Sequence, residues 1–211
     1  MIGAVPLHLV QHPLVQDALN ELRDMRTKPP EFRQAANRIS VLLAAEALRD
    51  VPSAENTVIT PLGPANGRII HGDVVVVPVL RAGLGMLDAV LELLPRARVG
   101  HIGLQRDEAT AIASKYYSKL PSDLARSYVL MIDPMLATGG SAVAAIDLIK
   151  AAGARMIRMI CIVAAPEGVA LVDRHHPEVP IYTPVVDDYL NPSKYIVPGL
   201  GDFGDRLYGT E

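Results

Sequence analysis

An acidic residue stands beside a cluster of glycines and small hydroxyl residues in the second half of this chain. Asp133 is followed by Pro134, and residues 137–141 read Ala-Thr-Gly-Gly-Ser. Glycines let the backbone approach a ligand closely, and free N–H groups at a helix start bind an anion such as phosphate. Asp133 suits sugar hydroxyls or a metal ion instead, so the segment as a whole predicts a sugar phosphate. The alternative is an ordinary strand–helix turn, capped by Thr138 or Ser141.

The flanking segments predict how this loop is held. Residues 129–132 are apolar and partly β-branched, as in a buried strand. Residues 142–149 form an alanine-rich run with helical periodicity. The loop therefore joins the carboxyl end of a strand to the amino end of a helix, where open α/β sheets bind ligands. The sequence contains no Gly-Lys-Ser or Gly-Lys-Thr triplet, which argues against a nucleoside-triphosphate P-loop.

Two arginines also follow predicted strands. Arg81 comes just after the apolar run 74–79, and Arg106 follows the run 99–104. We call residues 133–141 the phosphate loop. A planar guanidinium at the same sheet edge as this loop suits bidentate phosphate recognition. From position alone, a solvent-facing side chain explains Arg81 equally well. The polar and aromatic stretch after Arg106 predicts a loop that closes over a charged substrate, or else a mobile surface hairpin.

The carboxyl-terminal stretch 195–206 is rich in glycine and contains a proline. Its apolar neighbours favour an ordered loop over a floppy tail. Glycine lets main-chain N–H and C=O groups reach a flat ligand directly. Such a backbone edge can read the alternating donors and acceptors of a pyrimidine.

These motifs resemble those of the type I phosphoribosyltransferases. The motif Asp-Pro-Met-Leu-Ala-Thr-Gly-Gly-Ser at 133–141 is similar to that of the uracil phosphoribosyltransferase family. In that family proline replaces the second of two adjacent acids that the wider superfamily usually has at this position. Leu-Arg-Ala-Gly-Leu-Gly-Met at 80–86 matches the same family without a change. His-Pro-Leu-Val, Ala-Ala-Pro-Glu-Gly and a terminal Gly-Thr extend the resemblance along the chain.

The resemblance implies a role for each site residue. The catalytic residues are Asp133, Asp202 and Arg106. The residues that bind phosphoribosyl pyrophosphate are Arg81, Arg106, Asp133, Pro134, Met135, Leu136, Ala137, Thr138, Gly139, Gly140, Ser141 and Asp202. The uracil-binding residues are Ile196, Gly201, Asp202 and Phe203, although the family usually has alanine where this chain has Phe203.

The implied reaction joins uracil to phosphoribosyl pyrophosphate and yields UMP and pyrophosphate. The donor carries a Mg²⁺ ion, and no metal ligand is assigned to the protein. Two alternatives stay open: a phosphoribosyltransferase for another base, and a pyrimidine-responsive regulator that binds RNA on the same fold. The net charge of −3 does not favour an extended RNA-binding face.

Alternating strand-like and helix-like segments predict the fold class, which is α/β with a mainly parallel five-stranded sheet flanked by helices. The predicted strands are 74–79, 99–104, 128–132, 156–164 and 180–186. The predicted helices are 13–25, 30–48, 84–94, one that begins near Gly140, and 168–175. Prolines and glycines surround short β-like runs in 51–72, which predicts a hairpin or peripheral arm.

No linker or repeat divides the chain, so 1–211 is predicted to be one phosphoribosyltransferase domain. Its core covers about 73–187. The amino-terminal helices and the arm occupy 1–72, and a uracil-binding hood occupies 188–211. By resemblance, the loop after Arg106 is a flexible flap hairpin.

Composition limits the remaining choices. Half of the residues are hydrophobic, which is ample for a core covered on two faces. Cys161 is the single cysteine and lies in an apolar run, so we expect a buried thiol and no internal disulfide. With no signal-peptide pattern and no long apolar run, we expect a cytoplasmic protein without nucleic-acid or membrane partners. The resemblance implies a homodimer or higher homo-oligomer, while regulation by GTP has no readable motif.

Overall fold

An eight-stranded sheet dominates the computed structural model, which describes residues 6–106 and 113–210. In chain order the strands are β1 (Leu7–Leu9), β2 (Ser53–Thr60), β3 (Gly63–Ile70), β4 (Asp73–Leu80), β5 (Arg98–Val99), β6 (His101–Arg106), β7 (Ala113–Lys119), β8 (Ser127–Ile132), β9 (Met135–Leu136), β10 (Met156–Ile160), β11 (Val163–Ala164), β12 (Ile181–Thr183), β13 (Tyr189–Leu190) and β14 (Ile196–Val197). The helices are α1 (Pro13–Arg23), α2 (Pro29–Ala47), α3 (Leu84–Leu93), α4 (Gly140–Ala151), α5 (Pro166–His175) and α6 (Phe203–Tyr208), and a single 3₁₀ turn at Leu124–Arg126 precedes β8.

The sheet has the order β1-β12-β10-β8-β4-β6-β7, with β5 also paired to β4. Every pair in it is parallel except β6 with β7. The predicted mainly parallel α/β sheet is therefore confirmed, and all five predicted strands contribute to it. The short β1 and the polar β7 extend it at its two edges beyond the predicted five strands.

Two predicted strands are shorter than the sequence pattern indicates. The run 156–164 divides after Ile160, because the N–H groups of Ile162 and Val163 both donate to the carbonyl oxygen of Pro134, at 2.9 and 3.1 Å. The continuation, β11, pairs with β9 inside the phosphate loop instead of extending the main sheet. The run 180–186 likewise contributes only β12 to the sheet. Apolar composition alone does not distinguish a strand of the main sheet from a short strand beside it.

Strand β4 shows why both faces of the sheet are covered. Its six central residues are buried. Val74 and Val76 join a core with residues of α1, α2, α3 and α6, whereas Val75 and Val77 join a core with residues of α4 and α5. Successive strand residues point to opposite faces, so a continuous apolar run needs helices on both sides.

The predicted arm is a regular antiparallel hairpin of β2 and β3, paired from Ser53↔Ile70 to Thr60↔Gly63. Most of its residues are exposed. The predicted amino-terminal helices correspond to α1 and α2, and both begin at a proline, which suits the first helical turn. Within the described part of the chain, no helix is both long and apolar enough to cross a membrane.

Candidate functional site

The ends of two neighbouring strands form the first cleft of the candidate site. Strands β4 and β8 lie side by side, and the chain leaves them at Arg81 and Asp133 respectively. Both residues line a cleft of about 250 Å³, together with the phosphate loop. From that loop the cleft wall includes Met135, Leu136, Ala137, Thr138, Gly139 and Ser141. The sheet therefore brings the predicted acid, the predicted arginine and the small hydroxyl residues into one cavity.

Asp133 lies half-buried in this cleft. Burial raises the pKa of Asp133 to about 7, and the N–H of Met135, which donates to Oδ1 at 3.4 Å, opposes that rise only in part. Its own N–H donates to the carbonyl oxygen of Ile160 at 3.2 Å, which ties the residue to β10. The carboxylate is thus held at a fixed place where an ionised group is costly without a partner.

Strand pairing holds the first part of the phosphate loop. Its residues Met135 and Leu136 form β9 against β11. Gly139 precedes α4 with a φ of 84°, a left-handed conformation that favours glycine. Pro134 is buried, and neither it nor Gly140 belongs to the lining of the cleft. These two residues shape the loop in this structure without facing the cavity.

The two predicted pyrophosphate arginines differ in how much the structure describes. Arg81 is exposed, lines the first cleft and follows a cis peptide bond with Leu80. Arg106 is the last residue of β6, the strand next to β4, so its backbone lies at the same edge of the sheet. The antiparallel β6–β7 pair forms the stem of the predicted flap hairpin. The tip of that hairpin, 107–112, lies outside the described residues.

A second cleft, of about 320 Å³, adjoins the first. Its wall contains all four predicted uracil residues: Ile196, Gly201, Asp202 and Phe203. Ala82, Met135 and Ala137 line both clefts. The two cavities therefore share a wall, and ligands in them would lie next to each other.

At the start of α6, the side chains of Asp202 and Phe203 lie in different surroundings. The Asp202 side chain is exposed and caps the helix, since Oδ1 accepts the N–H of Asp205 at 2.9 Å. The Phe203 side chain is only 1% exposed and packs against the ring of Phe32 with centroids 5.2 Å apart. Phe203 can therefore contribute its main chain to the second cleft while its side chain belongs to the core.

Buried charge holds the loop that precedes α6. Asp187 is 5% exposed, and both of its carboxylate oxygens accept from Arg23, at 2.6 and 3.1 Å. The N–H of Gly199 donates to Asp187 at 2.8 Å, and its carbonyl oxygen accepts from Arg23 at 3.1 Å. Arg206 donates to the carbonyl oxygens of Leu22 and Leu200. These contacts, which we call the hood clamp, connect the second cleft to the end of α1.

Sequence reasoning missed several residues that line the clefts. Ala82, in the shared wall, was not among the predicted site residues. Its position between Arg81 and Gly83 in a motif that matches the family is the signal that could have found it. Lys194 and Tyr195 line the second cleft from the β13–β14 hairpin. No spacing rule connects that hairpin with the phosphate loop, so only the structure reveals their proximity.

Two acids, Asp133 and Asp202, and two cationic side chains, Arg81 and Lys194, line the clefts. Among residues 6–106 and 113–210, no group of three or more His, Cys, Asp or Glu side chains could hold a metal ion. Cys161 is buried as predicted, and burial raises the pKa of its thiol to about 12, which makes it a poor nucleophile.

A parallel α/β sheet in which neighbouring strands end at Arg81 and at the glycine-rich loop 133–141, with a second cleft beside them, is the arrangement of a type I phosphoribosyltransferase. The family model for "Uracil phosphoribosyltransferase" matches residues 9–210. The chain belongs to the uracil phosphoribosyltransferase family.

Comparisons with individual proteins agree with this assignment. A protein of Dictyoglomus thermophilum named uracil phosphoribosyltransferase is 51% identical over 204 residues, which cover 96% of this chain and 99% of the relative. One of Symbiobacterium thermophilum with the same name is 52% identical and covers 96% and 98%. The solved structure of the AQ2163 protein from Aquifex aeolicus aligns with a TM-score of 0.92 at 36% identity, over 97% of this chain and 99% of that one.

Proposed function

We propose that this enzyme transfers the 5-phosphoribosyl group of phosphoribosyl pyrophosphate to uracil, which yields UMP and pyrophosphate. The observation that carries the proposal is the pair of adjoining clefts, which share Ala82, Met135 and Ala137. One cleft has the phosphate loop and the other has the glycine-rich backbone of the hood. A nucleoside monophosphate has this same division, with its phosphate at one end and its base at the other.

The chemistry asks the protein to orient two reactants and to stabilise charge. N1 of uracil attacks C1 of the ribose, the bond from C1 to the pyrophosphate oxygen breaks and its electron pair leaves with pyrophosphate, and the N1 proton passes to solvent. No protein nucleophile is needed, because the base itself forms the new bond. Placing the two reactants side by side removes much of the entropic cost of their encounter. Preorganised charges then act on the cation-like ribose and on the leaving pyrophosphate.

The residues divide this work between the clefts. Arg81 and Arg106 would neutralise the pyrophosphate, and 137–141 would hold the 5′-phosphate. Asp133 would bind the ribose hydroxyls and stabilise the positive charge that develops on the ring. The remaining loop residues, Pro134, Met135 and Leu136, would fix the shape of the loop. Asp202, at the entrance of the hood, would bridge base and donor.

Uracil would be read by main-chain groups of the hood. Ile196, Gly201 and Phe203 would present N–H and C=O groups to the alternating edge of the base. Because the Phe203 side chain packs in the core, its replacement of the alanine usual in the family does not fill the cleft. Main-chain recognition of uracil is therefore compatible with phenylalanine at position 203.

A Mg²⁺ ion would arrive with the donor as part of the substrate. When bound, it supplies positive charge to the pyrophosphate oxygens. The oxygen-rich surroundings fit such a hard cation, because Asp133 lies in the donor cleft and the substrate adds phosphate and hydroxyl oxygens.

The proposal also includes the arrangement of the whole protein. We assign 73–187 as the core, 1–72 as the amino-terminal helices and arm, and 188–211 as the hood of one cytoplasmic domain. Exposed apolar side chains on the arm, among them Ile59 and the fully exposed Leu62, support self-association into a homodimer or larger assembly. Light scattering on the purified protein would measure that state.

A substrate panel tests the proposed function. The purified protein is assayed with phosphoribosyl pyrophosphate and, in turn, uracil, cytosine, hypoxanthine and orotate. We expect turnover with uracil and the release of one pyrophosphate per UMP. Cytosine should be poor, because its amine presents a donor where uracil presents an acceptor, a mismatch of about 1–3 kcal/mol. Preferred turnover of another base would contradict the proposal.

A further inference from the structure

The segment 162–168, which we call the splint, lies between the phosphate loop and the hood. Towards the phosphate loop, the N–H groups of Ile162 and Val163 donate to Pro134, and that of Ala165 donates to Leu136 at 2.8 Å. These bonds attach the splint to the main chain of the loop that forms the first cleft. They also explain why β11 pairs with β9 and leaves the main sheet.

The other side of the splint binds the segments that lead into the hood. The N–H of Ala164 donates to Val185 at 3.2 Å, and its carbonyl oxygen accepts the N–H of Asp187 at 2.8 Å. The Glu167 side chain accepts the N–H of Leu190, the last residue of β13, at 3.2 Å. One short segment therefore contacts both walls of the proposed active site.

Gly168 lies against the phosphate loop with no room for a side chain. A Cβ atom at Gly168 would lie 2.5 Å from the carbonyl oxygen of Ala137 and 2.7 Å from that of Leu136. A Cβ at Gly139 would lie 2.8 Å from the carbonyl oxygen of Gly168, so the two glycines face each other. Main-chain oxygens cannot rotate away as a flexible side chain can. An added methyl group must therefore move the loop or the helix.

We propose that Gly168 and Glu167 are positioning residues that set the two clefts relative to each other. Gly168 fixes how closely the phosphate loop packs against the start of α5. Glu167 fixes the position of the β13–β14 hairpin of the hood. Neither residue belongs to the lining of either cleft, so both act through the segments that they hold. The inference deepens the proposed function and depends on it for the identity of the two ligands.

The first test is Gly168→Ala, with binding of phosphoribosyl pyrophosphate measured by titration calorimetry. Alanine favours a helix more than glycine, so any loss must come from the collision with the loop. We expect affinity to fall by roughly tenfold or more, as for other overpacked sites. The matched control is Gly67→Ala in the arm, where the nearest heavy atom to a new Cβ is Asn56 O at 3.7 Å. Equal affinity in Gly168→Ala and the unaltered chain would overturn the role of Gly168.

The second test compares Glu167→Ala with Glu167→Gln. Both lose the charge, but only the alanine variant loses the oxygen that accepts from Leu190. We expect Glu167→Ala to raise the KM for uracil about threefold or more, with the KM for the donor unchanged, as for one lost hydrogen bond. Glu167→Gln should restore the KM for uracil. Equal effects of the two variants, or equal changes in both KM values, would overturn the role of Glu167.

The two measurements also separate this inference from the proposed function. An unaltered chain that binds the donor but does not turn over uracil would refute the proposed function, while calorimetry would still decide the role of Gly168. An active chain in which neither substitution acts as described would refute the inference alone. Thermal unfolding of each variant checks the fold, and because Glu167 is exposed its variants test the splint without opening the core.

Discussion

Asp133 lowers the stability of the unliganded fold at the place where we propose that it binds the ribose. Desolvation raises the pKa of its carboxyl from 3.8 to about 7. Between these pH values the folded chain holds a proton that the unfolded chain has released, so the free energy of unfolding falls as pH rises. This rise in pKa lowers the free energy of unfolding by at most about 4 kcal/mol, and water in the cleft makes the loss smaller. A bound donor with its cation would relieve this cost.

Asp133→Asn should therefore stabilise the unliganded protein and inactivate the enzyme. The asparagine has no charge to bury, so its stability relative to the original chain should increase from pH 4 to pH 7 and level off above that. An amide cannot stabilise positive charge on the ribose, so kcat should fall more than KM rises. Denaturant unfolding at pH 5 and pH 8, with kinetics on the same samples, measures both effects. A variant with normal kcat, or one equally stabilised at both pH values, would contradict this account.

Asp202 and Phe203 are neighbours for which we predict different effects. Asp202→Asn keeps an oxygen that can cap α6 but loses the charge between base and donor, so activity should fall while stability changes little. Phe203→Leu reduces packing against Phe32 and should lower stability, yet keep the preference for uracil over cytosine. Melting temperatures and assays with both bases measure these outcomes. Loss of selectivity in Phe203→Leu with full activity in Asp202→Asn would reverse the two assignments.

Arg81→Ala should weaken use of the donor more than use of uracil. One charge-assisted hydrogen bond contributes about 1.5–3 kcal/mol, so we expect the donor KM to rise between about tenfold and a hundredfold. The KM for uracil should stay within a few fold. Arg96→Ala, on the loop between α3 and β5, is a control because Arg96 lines neither cleft. An unchanged donor KM in Arg81→Ala would remove this arginine from the site.

Among the larger elements, the hood depends on charges supplied by the amino-terminal helices. The hood clamp joins Arg23 at the end of α1 to Asp187 and Gly199. Arg33 in α2 donates to the carbonyl oxygen of Leu207 at 2.8 Å, which satisfies the end of α6. The helices before the core thus hold the segment that would read the base. This explains why segments far apart in sequence can form one site.

Arg23→Ala should loosen the hood and destabilise the fold together. Removal of Arg23 leaves the buried carboxylate of Asp187 without its cation, a loss of about 3–5 kcal/mol for a buried pair. The matched control is Arg26→Ala, since Arg26 pairs with Asp24 on the exposed surface and its loss should matter little. Denaturant unfolding and the KM for uracil measure the two consequences. Similar stability of the two variants would contradict the clamp.

The elements themselves were predictable to different degrees. The strand that became β4 was predicted within one residue at each end, and the start of α4 was predicted near Gly140, because each has a strong and regular apolar pattern. The three-residue β1 was not predicted, and the polar β7 was predicted only as part of a flap hairpin and not as an edge of the main sheet, because edge strands are held by backbone pairing and leave little apolar signal. The break after β10 was also missed, since it depends on Pro134 from a different segment.

For the molecule as a whole, sequence motifs predicted many of the residues that line the candidate site, but not how its two clefts are arranged. The arginine, the acid and the glycine-rich loops were identified from residue types and from resemblance to a family. That the clefts share Ala82, Met135 and Ala137 follows only from the folded sheet and hood. The splint and the hood clamp are also tertiary, because each joins residues that no local pattern connects.

The central claim is that one ligand spans both clefts, and a crystal structure of the complex with UMP tests it most directly. The account predicts the 5′-phosphate on the loop 137–141, the ribose hydroxyls beside Asp133, and the uracil ring in the hood cleft against the backbone of Ile196 and Gly201. UMP with its phosphate away from that loop, or with its base outside the hood cleft, would contradict the account.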